Sequence, residues 1–156
     1  MRVAGKMIEG HISRGICNQA MDDGPAKRAL VVDDDRGLRE LLALFLAGIG
    51  FEVAVAENGQ AALELFRRRP FDLVLTDLQM PVMNGLKLMA SIKSASQHTP
   101  VLLMTGLNTP DVARFARAAA AVLYKPFKFE ELKSTVDKIF GYEERDAARC
   151  ARTANS

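Results

Sequence analysis

At 156 residues, 49% of them hydrophobic and 26% charged, the chain suits one compact domain with loose ends and is too apolar for a disordered or low-complexity polymer. Lys and Arg total 21 against 19 Asp and Glu, and residues 29–140 hold thirteen of each, so no basic excess is available to neutralise nucleic-acid phosphates. The longest apolar run without a charge, Leu41–Phe51, is about half the roughly 20 residues of a bilayer span, and Met1–Gly10 has no apolar signal stretch, so a cytoplasmic protein without membrane association is expected.

Residues 1–26 carry Gly, Ser, Asn and Asp without an apolar period and read as a flexible extension, with Met21 an alternative start. Cys17 and Cys150 lie far apart without metal or redox spacing and read as free thiols. From residue 27 the pattern changes. Leu30-Val31-Val32 is a short apolar strand, and Leu38, Leu41, Leu42, Phe45, Leu46 and Ile49 recur at helical spacing up to Gly50. Val53 and Val55 mark a second strand, and Asn58-Gly59 turns into a helix near Ala61–Arg68. Arg67-Arg68-Arg69 forms the sole basic run and reads as solvated cations at that helix's C-terminus.

Leu73-Val74-Leu75 is the third strand, Gly85–Ser94 the third helix and Val101–Met104 the fourth strand. Thr109-Pro110 offers an N-cap and a first-turn proline for a helix through Val112, Phe115 and Ala119. Val122-Leu123-Tyr124 is the fifth strand, and Leu132, Val136, Ile139 and Phe140 mark the last helix. Alternation of five strands with five helices, most strands apolar throughout, predicts a doubly wound α/β fold with a five-stranded parallel sheet covered on both faces. The domain spans 27–140, and 141–156 reads as a solvated, flexible tail.

Ligands of open parallel sheets bind outside the carboxyl ends of the strands. Here the first strand runs into Asp33-Asp34-Asp35, the third into Asp77, the fourth into Thr105 and the fifth into Lys125. Clustered carboxylates repel unless a cation sits among them, and oxygen donors without His or Cys suit Mg2+. A lysine and a threonine hydroxyl beside them can hold phosphoryl oxygens. The pattern predicts a site for a phosphoryl group on magnesium. His11 and His98 have no ligand partner at helical spacing and read as solvated.

Leu30-Val31-Val32-Asp33-Asp34-Asp35, Asp72 to Pro81, Asn84-Gly85, Met104-Thr105-Gly106 and Tyr124-Lys125-Pro126-Phe127 together resemble the response-regulator receiver domain of two-component signalling. The resemblance implies a flavodoxin-like strand order 2-1-3-4-5 and makes Asp77 the nucleophile that takes a phosphoryl group from a phosphohistidine. It implies that Asp34, Asp77 and the backbone carbonyl of Gln79 bind Mg2+ directly, with Asp33 acting through water. Thr105 and Lys125 would hold phosphoryl oxygens, and the Lys125-Pro126 bond would be cis. Asp35 is extra to the acidic run and is expected to cap the first helix.

The implied partners are a sensor histidine kinase or histidine phosphotransfer protein and a downstream protein target. No DNA-binding domain is expected after Phe140, and the implied chemistry is self-catalysed phosphotransfer with slow dephosphorylation rather than turnover. Three features depart from the family pattern: Val122 replaces the switch aromatic, Ala118–Ala121 stand where a stretch with a glycine and two acids is usual, and Lys128 stands where an acidic or polar cap is usual. With the charges of the usual dimer face missing, a monomer is expected. A degenerate receiver acting only by contact is one alternative. A haloacid-dehalogenase-like aspartyl phosphatase with Asp33 as nucleophile is another, though it leaves Asp77 and Met80-Pro81 unexplained.

Overall fold

The computed structural model describes residues 25–141. All but the last two residues of the extension, the Met21 start, both cysteines, His11 and nearly all of the tail lie outside the described residues. Ten elements alternate along the chain: β1 (Arg28–Val32), α1 (Arg36–Gly48), β2 (Glu52–Ala56), α2 (Gly59–Arg68), β3 (Leu73–Asp77), α3 (Gly85–Ala95), β4 (Val101–Thr105), α4 (Pro110–Ala116), β5 (Ala121–Tyr124) and α5 (Phe129–Phe140). The five strands form one parallel sheet in the order β2-β1-β3-β4-β5.

Apolar side chains alternate between two cores because successive residues of a strand face opposite sides. Ala29, Val31, Val53, Leu73, Leu75, Leu102, Met104 and Leu123 face α1 and α5, where Leu42, Leu46, Leu132 and Val136 meet them. Leu30, Val32, Ala56, Val74, Val101 and Leu103 face the other way, onto Leu63 and Phe66 of α2 and Leu88 and Ile92 of α3. Every residue of β3 and β4 is buried, as central strands covered on both faces require.

The helices begin where the sequence signals them. Asp35 caps α1, its side chain accepting from the Leu38 N–H at 3.1 Å, and Asn58 and Asn84 cap α2 and α3 at 2.9 Å. Gly50, at φ +105°, takes the turn between α1 and β2, where its left-handed backbone is free of the penalty a Cβ would bring.

Two details of α4 differ from expectation. The helix stops at Ala116 rather than continuing through Ala119. The N–H groups of Ala118 and Ala119 both turn back to the Phe115 carbonyl, and that of Ala120 leaves to bond Val101 at 2.8 Å, so sheet pairing overrides the helix propensity of the alanines. Thr109 stands at the N-cap but its hydroxyl makes no cap bond; its carbonyl accepts from Val112 and Ala113 instead. Lys128 likewise precedes α5 without a side-chain cap, while Glu130 and Glu131 place negative charge in the first turn, where the helix dipole favours it.

Candidate functional site

Strand register decides which residues share the carboxyl edge. Val32 pairs with Thr76, Asp77 with Met104 and Thr105 with Tyr124, so Asp33, Asp77, Thr105 and Lys125 come within two rungs of one another. The Lys125 N–H donates to the Thr105 carbonyl at 2.8 Å, and the Lys125-Pro126 peptide is cis, as the resemblance implied.

Lys125 joins the strand ends. Its Nζ lies 2.9 Å from Asp77 Oδ2 and 3.2 Å from Asp33 Oδ2. Asp33 is fully buried, and its other oxygen accepts from the Asp35 N–H at 2.9 Å. Burial pushes the Asp33 carboxyl above its ordinary range, against the opposing pull of the Asp35 N–H and Lys125. Burial alone would lower the Lys125 ammonium, but its bonds and attraction to Asp77 and Asp33 prevail and hold it above its usual value. The pocket is therefore an ion-paired cluster.

Asp77 is 8% exposed, and its Oδ1 accepts from the Gln79 N–H at 3.0 Å. Asp34 is exposed beside it. Asp33, Asp34 and Asp77 each offer a carboxylate oxygen, all within 4.8 Å of one another. This all-oxygen donor set fits Mg2+ and contains no soft ligand that would favour zinc or copper. Thr105 is buried, and its hydroxyl accepts from the Leu107 N–H at 3.0 Å, at the start of the loop into α4. A groove of about 540 Å³ adjoins the cluster, lined in part by Gln79, Met80, Pro81, Leu107, Val112 and Phe115.

All six sequence-derived site positions, Asp33, Asp34, Asp77, Gln79, Thr105 and Lys125, thus gather at one edge. The structure adds that Asp33 is engaged through both oxygens, which suits a supporting carboxylate better than the nucleophile of the phosphatase alternative. His98 is exposed and joins no group of metal-competent side chains among the described residues.

Three features went unread in the sequence. Gly85 lets the start of α3 approach the end of β3: a Cβ there would overlap the Asp77 carbonyl oxygen and lie 3.0 Å from Leu78 Cα. Asn84-Gly85 carried that signal. Val82 sits at φ +71°, bridged by a Met83 N–H to Pro81 carbonyl bond of 2.8 Å, a γ-turn of the rare hand. Arg39 donates from Nη1 to the Asp33 carbonyl at 2.6 Å. Neither a valine nor a helix-surface arginine signals such a role.

Comparison with known proteins agrees with this geometry. A family model described as the response regulator receiver domain matches residues 29–137. The transcriptional regulatory protein ZraR of Escherichia coli K12 is 38% identical over 129 residues, 81% of this chain and 29% of that protein. The transcriptional activator PfeR of Pseudomonas aeruginosa is 39% identical over 74% of this chain and 38% of its own length. The chain therefore spans well under half of these curated relatives.

Among solved structures, the Vibrio cholerae chemotaxis protein CheY4 superposes with a TM-score of 0.69 at 31% identity, over 74% of this chain and 99% of that one. The response regulator TrrA of Thermotoga maritima, in complex with Mg2+ and BeF, gives 0.67 at 37% identity, over 72% and 98%. With most of its length inside the family match and the five strands in the expected order, the chain belongs to the response regulator receiver domain family of two-component signalling.

Proposed function

We propose that this receiver is a working phosphoacceptor, with Asp77 the residue modified. The observation that carries this reading is the Lys125 bridge between Asp33 and Asp77, with the Asp34 carboxylate beside it. A carboxylate oxygen of Asp77 attacks the phosphorus of a phosphohistidine on a sensor histidine kinase or phosphotransfer protein. The new P–O bond makes an acyl phosphate, the P–N bond breaks, and its electron pair stays on the imidazole nitrogen, which takes a proton from solvent.

Asp34, Asp77 and the Gln79 carbonyl would hold Mg2+, with Asp33 acting through water; the ion supplies charge neutralisation to the phosphoryl oxygens. Lys125 supplies a second positive charge, and the Thr105 hydroxyl, at the end of the strand next to β3 and accepting from Leu107, keeps its own proton for a phosphoryl oxygen. Because the transition state is loose, positioning and charge do most of the work. The chain is thus a regulated substrate that assists its own modification, not a turnover enzyme.

Output in this reading runs through protein contact, since the thirteen basic and thirteen acidic residues of 29–140 give no net field for nucleic acid. No helix among the described residues is long and apolar enough to cross a membrane. Acetyl phosphate with Mg2+ should add one phosphoryl group by mass spectrometry, and Asp77→Ala should abolish it. Undiminished labelling of Asp77→Ala overturns the assignment.

A further inference from the structure

Three consecutive carboxylates, Asp33, Asp34 and Asp35, crowd the turn between β1 and α1, with Asp77 facing them. Like charges at this spacing push the turn open, so something must fix its shape. Within the turn, the Asp35 N–H bonds Asp33 Oδ1 at 2.9 Å, and Asp35 Oδ1 accepts from Leu38 at 3.1 Å. Arg39 adds a side-chain bond to the main-chain bond that any residue at its helical position would make. Its own N–H donates to the Asp35 carbonyl at 2.9 Å, while its guanidinium reaches back to the Asp33 carbonyl at 2.6 Å. The Asp33 N–H bonds the Ala56 carbonyl at 3.2 Å, so the two peptides flanking this residue are held, one from the sheet and the other from the helix.

We infer that Arg39 is a positioning residue for the cation site: by clamping the Asp33 carbonyl it fixes the direction in which Asp33 and the exposed Asp34 present their carboxylates. The inference rests on the reading above that this cluster takes Mg2+. A simpler role is open to an arginine here, that of a cation drawn to a pool of negative charge. The two roles predict opposite signs. A nearby positive charge repels Mg2+, so removing it would tighten binding; a clamp preorganises the ligands, so removing it weakens binding. The contact made is to a carbonyl rather than a carboxylate, and partial exposure screens the guanidinium charge, so the clamp should prevail.

The test uses the full chain. Isothermal titration with MgCl2 should show Arg39→Gln binding about 10-fold more weakly than wild type, the low end of the effects seen for residues that orient metal ligands. Arg39→Lys, which keeps a donor and the charge, should recover part of the loss. In Mg2+-free protein, amide exchange at Asp35 should quicken in Arg39→Gln while exchange in β3 and β4 stays unchanged, separating a loosened turn from a damaged fold. Equal or tighter Mg2+ binding by Arg39→Gln, or unaltered Asp35 exchange, overturns the inference. A wild type that ignores Mg2+ would remove the metal reading instead, and Asp35 exchange would still decide whether Arg39 holds the turn.

Discussion

Lys125 balances charge for the whole pocket, since its ammonium is bonded to two carboxylates, one of them fully buried. Lys125→Met should therefore destabilise the metal-free protein at neutral pH by about 2 kcal/mol, below the usual cost of breaking a buried pair because the lysine itself is partly exposed. The sign with pH follows from Asp33, already raised by burial. Without the lysine its folded pKa rises further above the unfolded value, so the deficit is largest at neutral pH and shrinks as pH falls. Urea unfolding across that range checks this; a deficit that grows on acidification contradicts it. Val82 is a second test at this scale. It is 80% exposed, so no packing compensates the strain of a branched side chain at φ +71°. Val82→Gly should stabilise by about 1 kcal/mol, the released strain less the added chain entropy of glycine, and a lower urea midpoint would contradict that. The contrast between these residues shows what a sequence exposes. A carboxylate or lysine directly after an apolar run is a local pattern, so Asp33, Asp77 and Lys125 were legible. A backbone sign at Val82 or a long reach from Arg39 leaves no mark on residue type.

Among the elements, the loop joining β4 to α4 couples the pocket to the surface. The Thr105 hydroxyl holds the Leu107 N–H, and Leu107, 40% exposed, lines the groove together with Gln79. An apolar side chain there cannot orient an attacking water, so the acyl phosphate should persist. Leu107→Glu should speed its loss by about 10-fold, a modest fraction of what a positioned acid or base contributes, measured as decay of the phosphorylated mass after the donor is removed. An unchanged lifetime would show that Leu107 does not face the water's path. The elements themselves were legible because each pairs an apolar run with a cap or turn residue. Only α4 was drawn too long. Alanine favours helix wherever local preference decides, but Ala120 must reach Val101 for β5 to pair, a demand set by a strand far away in sequence.

For the whole molecule, apolar runs reveal that strands are buried on both faces but not which strand lies beside which, so the order β2-β1-β3-β4-β5 was available only through the family resemblance. That order leaves β5 at an edge beside the short α4. A sheet edge can pair two copies of a chain, and this one is poorly supplied for it. Ala120, Ala121 and Val122 carry no charge to pair across subunits, and the large apolar groups exposed in this region are Leu107, Phe115 and Tyr124, with Arg114 exposed on α4 and Arg117 exposed just past its end. A stable interface needs about 800 Å² on each partner with a desolvated apolar centre, and three partly exposed apolar side chains fall short of that. Exposed cations facing their own copies across a two-fold axis would add repulsion rather than register. The protein should therefore remain monomeric when Mg2+ and beryllofluoride mimic phosphorylation, and light scattering reads this directly. A mass that doubles on activation, and returns to the monomer value in the charge-reversed variant carrying Arg114→Glu and Arg117→Glu, would show that the edge dimerises through these arginines and that their pairing partners lie elsewhere on the second copy.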